Sequence, residues 1–357
     1  MYINGGRISK IVWKNIYYMI CYCVEELNYF EEANISYEDI KGTHNLLAKL
    51  LINTFNKVYS QGYIKKFIKE EIITDKPYGE INIVKSIETG VYGQGKLVCS
   101  VDKLDIDNKY NQIIKAAFNL LIMTDGNIDS PIDRRLMLEL IRCKSLLNKV
   151  SDIELTHETI KISGDIPDYY KPVLVVAKFI LDEWLFYDKT DIYRSLELND
   201  KIRLAYIWEK FLRRYIREYM LSDKYSHLEY DVLKTVIDDG YTNREIDLIV
   251  KSNKCKNIIV GDAKWYDNEI GSVENVDQIY TYSSRIKEKN KKNNVIGILL
   301  YACSNKKTYE AKPVQRHKGN KDAEYLSIKY FINVNQDFDK IKEDINNIVD
   351  KYLNYEE

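Results

Sequence analysis

Residues 243–266, NREIDLIVKSNKCKNIIVGDAKWY, constrain this chain more than any other stretch. Two short apolar runs, 246–250 and 258–260, flank a polar segment at 251–257. That spacing predicts two strands joined as a hairpin. Acids sit where a buried strand should have none: Asp247 inside the first run, Asp262 at the end of the second, with Lys264 two residues on. Side chains alternate along a strand, so Asp262 and Lys264 share a face and Ala263 points to the other. Gathering two carboxylates and an ammonium is costly unless they are paired or bound to a metal. Asp247 and Asp262 offer the hard oxygen ligands that Mg²⁺ takes, and the Ala263 backbone carbonyl could complete the set. Lys264 would then orient or deprotonate a water for attack on a phosphodiester. The competing reading is a solvated edge hairpin whose charges pair with one another.

The order acid, hairpin, D-x-K resembles the PD-(D/E)XK nuclease superfamily at three matched positions, Asp247, Asp262 and Lys264. The flanks add to the likeness. A helix over 201–221 carries an apolar stripe through Trp208, Leu212, Tyr215 and Tyr219, with Glu209 at its edge. The superfamily often places a further carboxylate there, to bind metal or order water; a surface pair with Arg213, four residues on, is the alternative. A helix from Val273 carries Gln278 and Tyr282 one turn apart, and Q-xxx-Y after the lysine resembles the RecB-like branch, in which the pair supports the site.

The remaining sequence sets limits. With 53 Lys and Arg against 54 Asp and Glu, the formal charge is -1. A stand-alone duplex binder usually carries a basic excess, so contact with DNA must come from a local patch or a partner. Six cysteines are scattered without a CxxC pair or a histidine cluster, which points to neither a zinc site nor a disulfide framework. Gly90, Gly93 and Gly95 lack the spacing of a dinucleotide loop, and no Walker lysine follows, so nucleotide binding is not expected here. No apolar run reaches the length of a membrane span and no signal peptide is read, so the expected location is cytoplasmic.

Helical periodicity is read over 11–30, 45–59, 110–123, 133–148 and 173–185, with Asp107 or Asn108 capping the third. Residues 63–71 read as a solvated basic and aromatic face, 72–86 as β-like, and 97–100 as a strand. After the helix over 201–221 come a strand at 227–236, turned by Asp238-Asp239-Gly240, and the hairpin. The apolar run VIGILLYA at 295–302 has the look of an interior strand. A strand at 325–334 and an amphipathic helix at 338–352 close the chain. The expected class is α+β: a mostly helical N-terminal domain with a small β portion over 1–190, then a mixed sheet flanked by helices over 191–357.

A narrower resemblance covers most of the length. Lys14-Asn15-Ile16-Tyr17-Tyr18-Met19, Gly79-Glu80-Ile81, Lys85-Ser86-Ile87, Asn111-Gln112-Ile113-Ile114-Lys115 and Tyr169-Tyr170-Lys171, with the C-terminal motifs, are similar to the McrC family, the nuclease subunits of McrBC modified-cytosine-dependent restriction systems. The resemblance implies a division of labour. An McrB-like AAA+ GTPase would bind GTP, recognise double-stranded DNA carrying modified cytosine such as 5-methylcytosine, and translocate. The McrC-like chain would dock on that ring through its N-terminal domain, stimulate GTP hydrolysis, and cut DNA as a Mg²⁺-dependent endonuclease in antiphage defence. Two other readings stay open: a non-catalytic GTPase-activating and assembly adaptor with a vestigial nuclease fold, and a stand-alone repair nuclease.

Overall fold

The structure is a computed structural model. It describes residues 2–3, 6–7, 10–24, 40, 42–124, 131–188, 200–222, 224–225, 231–238, 243–252, 255–265, 273–304, 308–310, 314–317 and 324–353. In chain order the elements are β1 (Tyr2–Ile3), β2 (Gly6–Arg7), α1 (Lys10–Cys23), α2 (Thr43–Gln61), β3 (Lys66–Thr74), β4 (Glu80–Asn82), α3 (Ile83–Glu88), β5 (Leu97–Asp105), α4 (Lys109–Thr124), α5 (Arg134–Ser145) and α6 (Lys171–Asp188). There follow α7 (Asp200–Met220), β6 (Asp231–Asp238), β7 (Asn243–Lys251), β8 (Asn257–Trp265), α8 (Val273–Lys289), β9 (Asn294–Cys303), β10 (Tyr309–Glu310), β11 (Val314–His317), β12 (Glu324–Asn333) and α9 (Phe338–Leu353). The expected turn at 239–240, the helix extension over 25–30 and the strand start at 227–230 lie outside the described residues. The class is α+β.

Two compact units emerge, and they are not consecutive halves. One takes 1–49, 126–132 and 191–357; the other takes 50–125 and 133–190. The units divide between Thr190 and Asp191, and residues 1–49 group with the C-terminal unit, apart from the rest of 1–190. The physical reason lies in α1. Its Val12, Trp13, Ile16, Tyr17, Met19 and Ile20 are fully buried, and Tyr22 meets the rings of Phe211, Tyr215 and Phe338. Asn15 donates from Nδ2 to the carbonyls of Val334 (2.8 Å) and Gln336 (2.7 Å). The family-like motif at 14–19 therefore serves as a clamp on the loop before α9.

The larger sheet of that unit runs β10-β12-β9-β8-β7-β6, with β11 on β12. The pairs β8–β9 and β9–β12 are parallel and the others antiparallel, so the sheet is mixed. Strand β8 is central and buried along its whole length except at Lys264, which is why its sequence is a near-continuous apolar run. Ile258 and Val260 of β8 pack with Val276, Ile279, Tyr282 and Ile286 of α8 and with Leu299 and Tyr301 of β9. Trp208 of α7 is fully buried and its indole N–H donates to Leu300 O at 2.9 Å, tying that helix to β9. Gly261 lies opposite Leu248, and a Cβ there would stand 3.0 Å from the leucine side chain, so the glycine makes room for it.

The second unit holds the three-stranded sheet β3-β5-β4 with α3–α6. Asn108 caps α4, accepting from Tyr110 N (3.2 Å), while Asp107 turns instead to Ser151 and Gln112. Asp133 caps α5 through Arg135 N at 2.9 Å. The segment 63–71 is solvated, with Lys65, Lys66, Phe67 and Lys69 exposed, and from Lys66 it is ordered as the long strand β3, paired with β5 from Lys66↔Asp105 to Thr74↔Leu97. Its residues alternate only between exposed and half-buried, which hides the period-2 signal of an ordinary strand.

Candidate active site

The hairpin forms as its spacing implies, and its far end is where the acids meet. The β7–β8 ladder pairs Val250 with Ile259, Ile249 with Val260, and Leu248 with Gly261. Beyond that pair a side chain replaces the backbone acceptor: the Ala263 N–H donates to Asp247 Oδ2 at 2.8 Å. Strand β8 continues alongside β9, with Asp262 opposite Leu299 and Lys264 opposite Tyr301. Asp262 and Lys264 therefore stand at the C-terminal end of a parallel strand, beside the divergent start of β7, where open sheets leave a crevice.

Lys264 Nζ stands 2.8 Å from Asp262 Oδ2; the ammonium is 27% exposed and the carboxylate 1%. Among the described residues the ammonium is the one partner of this buried oxygen. Burial pushes Asp247 up to about 8, and the nearby charges of Asp262 and Glu209 push the same way. Asp262 is also raised, by burial first, against the pull of Lys264. Burial works against the Lys264 cation as well, but the contact with Asp262 and the charge of Asp247 together outweigh it, and the amine titrates above its ordinary value. An acid–acid–amine group thus shares one small volume, with more acid than the single ammonium balances.

Tyr282 of α8 is buried beside it. Gln278 Nε2 donates to the Tyr282 hydroxyl at 2.7 Å, and burial, with Asp262 and Asp247, raises that phenol. Glu209 is drawn to the same end of the sheet through Arg213. The guanidinium Nη1 donates to Glu209 Oε1 at 2.9 Å and to the Asp247 backbone carbonyl at 3.1 Å. All six side chains named from the sequence are thus brought to one region, Gln278 by way of Tyr282 and Glu209 by way of Arg213. Among the described residues no three His, Cys, Asp or Glu side chains close on one point. Arg213 is the residue that sequence reading placed only as a surface partner of Glu209. Its i+4 spacing was visible; its bond to Asp247, 34 positions away, was not.

The raised Asp247 carries a direct consequence. An acid whose folded pKa lies above its unfolded value adds stability that is complete below the unfolded value and fades as pH climbs to the folded one. From 3.8 to about 8, Asp247 contributes such a loss in the cation-free chain. In EDTA the melting temperature of the wild type should fall relative to Asp247→Asn between about pH 4 and about pH 8. A difference between the two that stays constant across that window contradicts the placement.

Residues 4–302 match the family model described as McrBC 5-methylcytosine restriction system component. The chain is 27% identical over 311 residues to the type IV methyl-directed restriction enzyme EcoKMcrBC of Escherichia coli K12, covering 81% of this chain and 85% of that one. Its fold is similar to a chain in the half-complex of Thermococcus gammatolerans McrB AAA+ hexamers with bound McrC, with a TM-score of 0.51, 13% identity, and coverage of 96% of this chain and 79% of that chain. With a family match that spans most of its length, this chain belongs to the McrBC 5-methylcytosine restriction system component family.

Proposed function

We propose that this chain is the Mg²⁺-dependent endodeoxyribonuclease subunit of a modification-dependent restriction complex in the cytoplasm, with a PD-(D/E)XK site at Asp247, Asp262 and Lys264. The observation that carries this reading is the convergence of two buried carboxylates on one ammonium: Asp262, 2.8 Å from Lys264 Nζ, and Asp247, raised by burial and by the charges of Asp262 and Glu209. A divalent cation fits that deficit and that donor set, which is all oxygen. Asp247 and Asp262 would hold it, with the Ala263 carbonyl as a further ligand. When bound, the cation would lower the pKa of a water and offset charge on the phosphoryl group.

The chain's own residues divide the remaining work. Lys264, kept protonated by Asp262, suits orienting a water or a phosphate oxygen by donation; its raised pKa argues against the alternative in which it takes a proton at neutral pH. Tyr282, buried and held by Gln278, supports the site from α8. Glu209 stays paired with Arg213 and shapes the charge of the site from outside the ligand set. The test is cleavage of modified and unmodified duplex by the full chain with a candidate AAA+ partner. Cutting should require GTP, the modified base and Mg²⁺. Cutting undiminished in EDTA would refute the cation role.

Partner docking belongs to the second unit in this reading. Phe67, Tyr78, Ile83, Val84, Ile87 and Tyr92 are exposed around β3-β5-β4 and α3, an apolar surface that marks a protein contact. The occupant we infer is the McrB-like AAA+ GTPase, whose hydrolysis this chain would stimulate. Ile87→Glu should weaken stimulation of the partner by about tenfold or more, the effect of desolvating a charge in such a contact, and leave the melting temperature within a few degrees. Unchanged stimulation would move the contact elsewhere. The adaptor reading has this surface in its favour; it parts from ours in predicting no cleavage by the wild-type complex.

A further inference from the structure

We propose that Arg213 is a phosphate-binding residue of the nuclease site, gripping the DNA backbone beside the bond to be cut; this rests on the nuclease reading above. The guanidinium has five N–H donors in a rigid fork. Nη1 spends both of its hydrogens, one on Glu209 Oε1 at 2.9 Å and one on the Asp247 carbonyl at 3.1 Å. The edge formed by Nε and Nη2 has no acceptor among the described residues, and the side chain is 15% exposed. A half-buried arginine with three unspent donors needs an acceptor. Its position is fixed by two anchors, Glu209 on its own helix and the Asp247 carbonyl in the middle of β7.

The unspent Nε–Nη2 edge is the one that matches two oxygens of a phosphate or carboxylate bidentately. Its neighbours Asp247, Asp262 and Glu209 already supply the carboxylates, so an acceptor from outside is the remaining class, and a phosphodiester is the substrate of this site. Glu209 takes on a definite part in this scheme. It engages the guanidinium through Nη1 alone and leaves the Nε–Nη2 edge unspent, which makes it a positioning residue for Arg213 rather than a metal ligand.

The experiment measures binding of a short duplex by the full-length chain in Ca²⁺, across a salt series, for wild type, Arg213→Met, Arg213→Lys and Asp262→Asn. A second readout is the melting temperature with and without Ca²⁺. Arg213→Met should bind about tenfold more weakly, and the slope of log K against log salt should fall by about 0.9, the loss of one phosphate contact. Arg213→Lys should recover the slope and only part of the affinity, because a point charge does not engage two oxygens. Stabilisation by Ca²⁺ should survive in Arg213→Met and vanish in Asp262→Asn. Wild-type slope and affinity in Arg213→Met overturn the proposal, as does an unaltered chain that binds no duplex. Loss of Ca²⁺ stabilisation in Arg213→Met with an unchanged slope also overturns it, and leaves Arg213 a brace for Asp247. If the wild type itself gains nothing from Ca²⁺, the cation reading of the site fails, and the salt slope still decides for or against Arg213.

Discussion

Asp262→Ala should abolish GTP-driven cleavage of modified duplex by at least about a thousandfold, corresponding to the several kcal/mol of charge stabilisation that a catalytic cation contributes. The same variant should still bind the AAA+ partner and stimulate its GTPase to the wild-type level. The separation follows from position. Asp262 lies in the central strand of the larger sheet, whereas the exposed apolar surface lies in the other unit. Folding should be preserved, because removal of the carboxylate leaves only the part-exposed Lys264 short of a partner. Cleavage by Asp262→Ala at even a tenth of the wild-type rate would take Asp262 out of the reacting centre.

Lys264→Met should act on two quantities at once. Cleavage should drop by about 10²–10³-fold, the usual loss when a donor aimed at developing charge is removed. In EDTA the variant should also lose about 3–5 kcal/mol of stability at neutral pH, since it leaves the buried Asp262 without its counter-charge. Lowering the pH should recover much of that loss, because the raised carboxylates then take up protons. Mg²⁺ should recover it as well, by standing in for the lost ammonium. Chemical denaturation with and without Mg²⁺, together with single-turnover cleavage, separates the two effects. A variant as stable as the wild type in EDTA, cutting at the wild-type rate, would return the D-x-K motif to an incidental surface pair.

Much of this site was legible in the sequence because its parts are local. The hairpin spacing of 246–250 and 258–260, the i, i+2 relation of Asp262 to Lys264 and the i, i+4 relation of Gln278 to Tyr282 fix relative direction within one element. The interior character of β9 followed from its unbroken apolar run. Other features depend on pairs far apart in the chain, and no local pattern encodes them. Asn15 reaches the Val334 carbonyl across 319 positions, which is why α1 joins a unit that the sequence assigned to the C-terminal half. Strand β3 escaped notice because Phe67 and Ile73 are exposed on it among charged residues, so burial, the cause of ordinary alternation, does not shape its sequence. Arg213 likewise showed only the nearer of its two bonds.

The central claim is that Asp247 and Asp262 share one divalent cation. Diffraction from crystals of the full chain soaked in Mn²⁺, recorded at the manganese edge, tests it most directly. The account predicts an anomalous peak between the two carboxylates, at about 2.1 Å from an oxygen of each, the spacing of a hard six-coordinate cation. A crystal that binds Mn²⁺ elsewhere while these two acids stay metal-free, with Lys264 still holding Asp262, would contradict it.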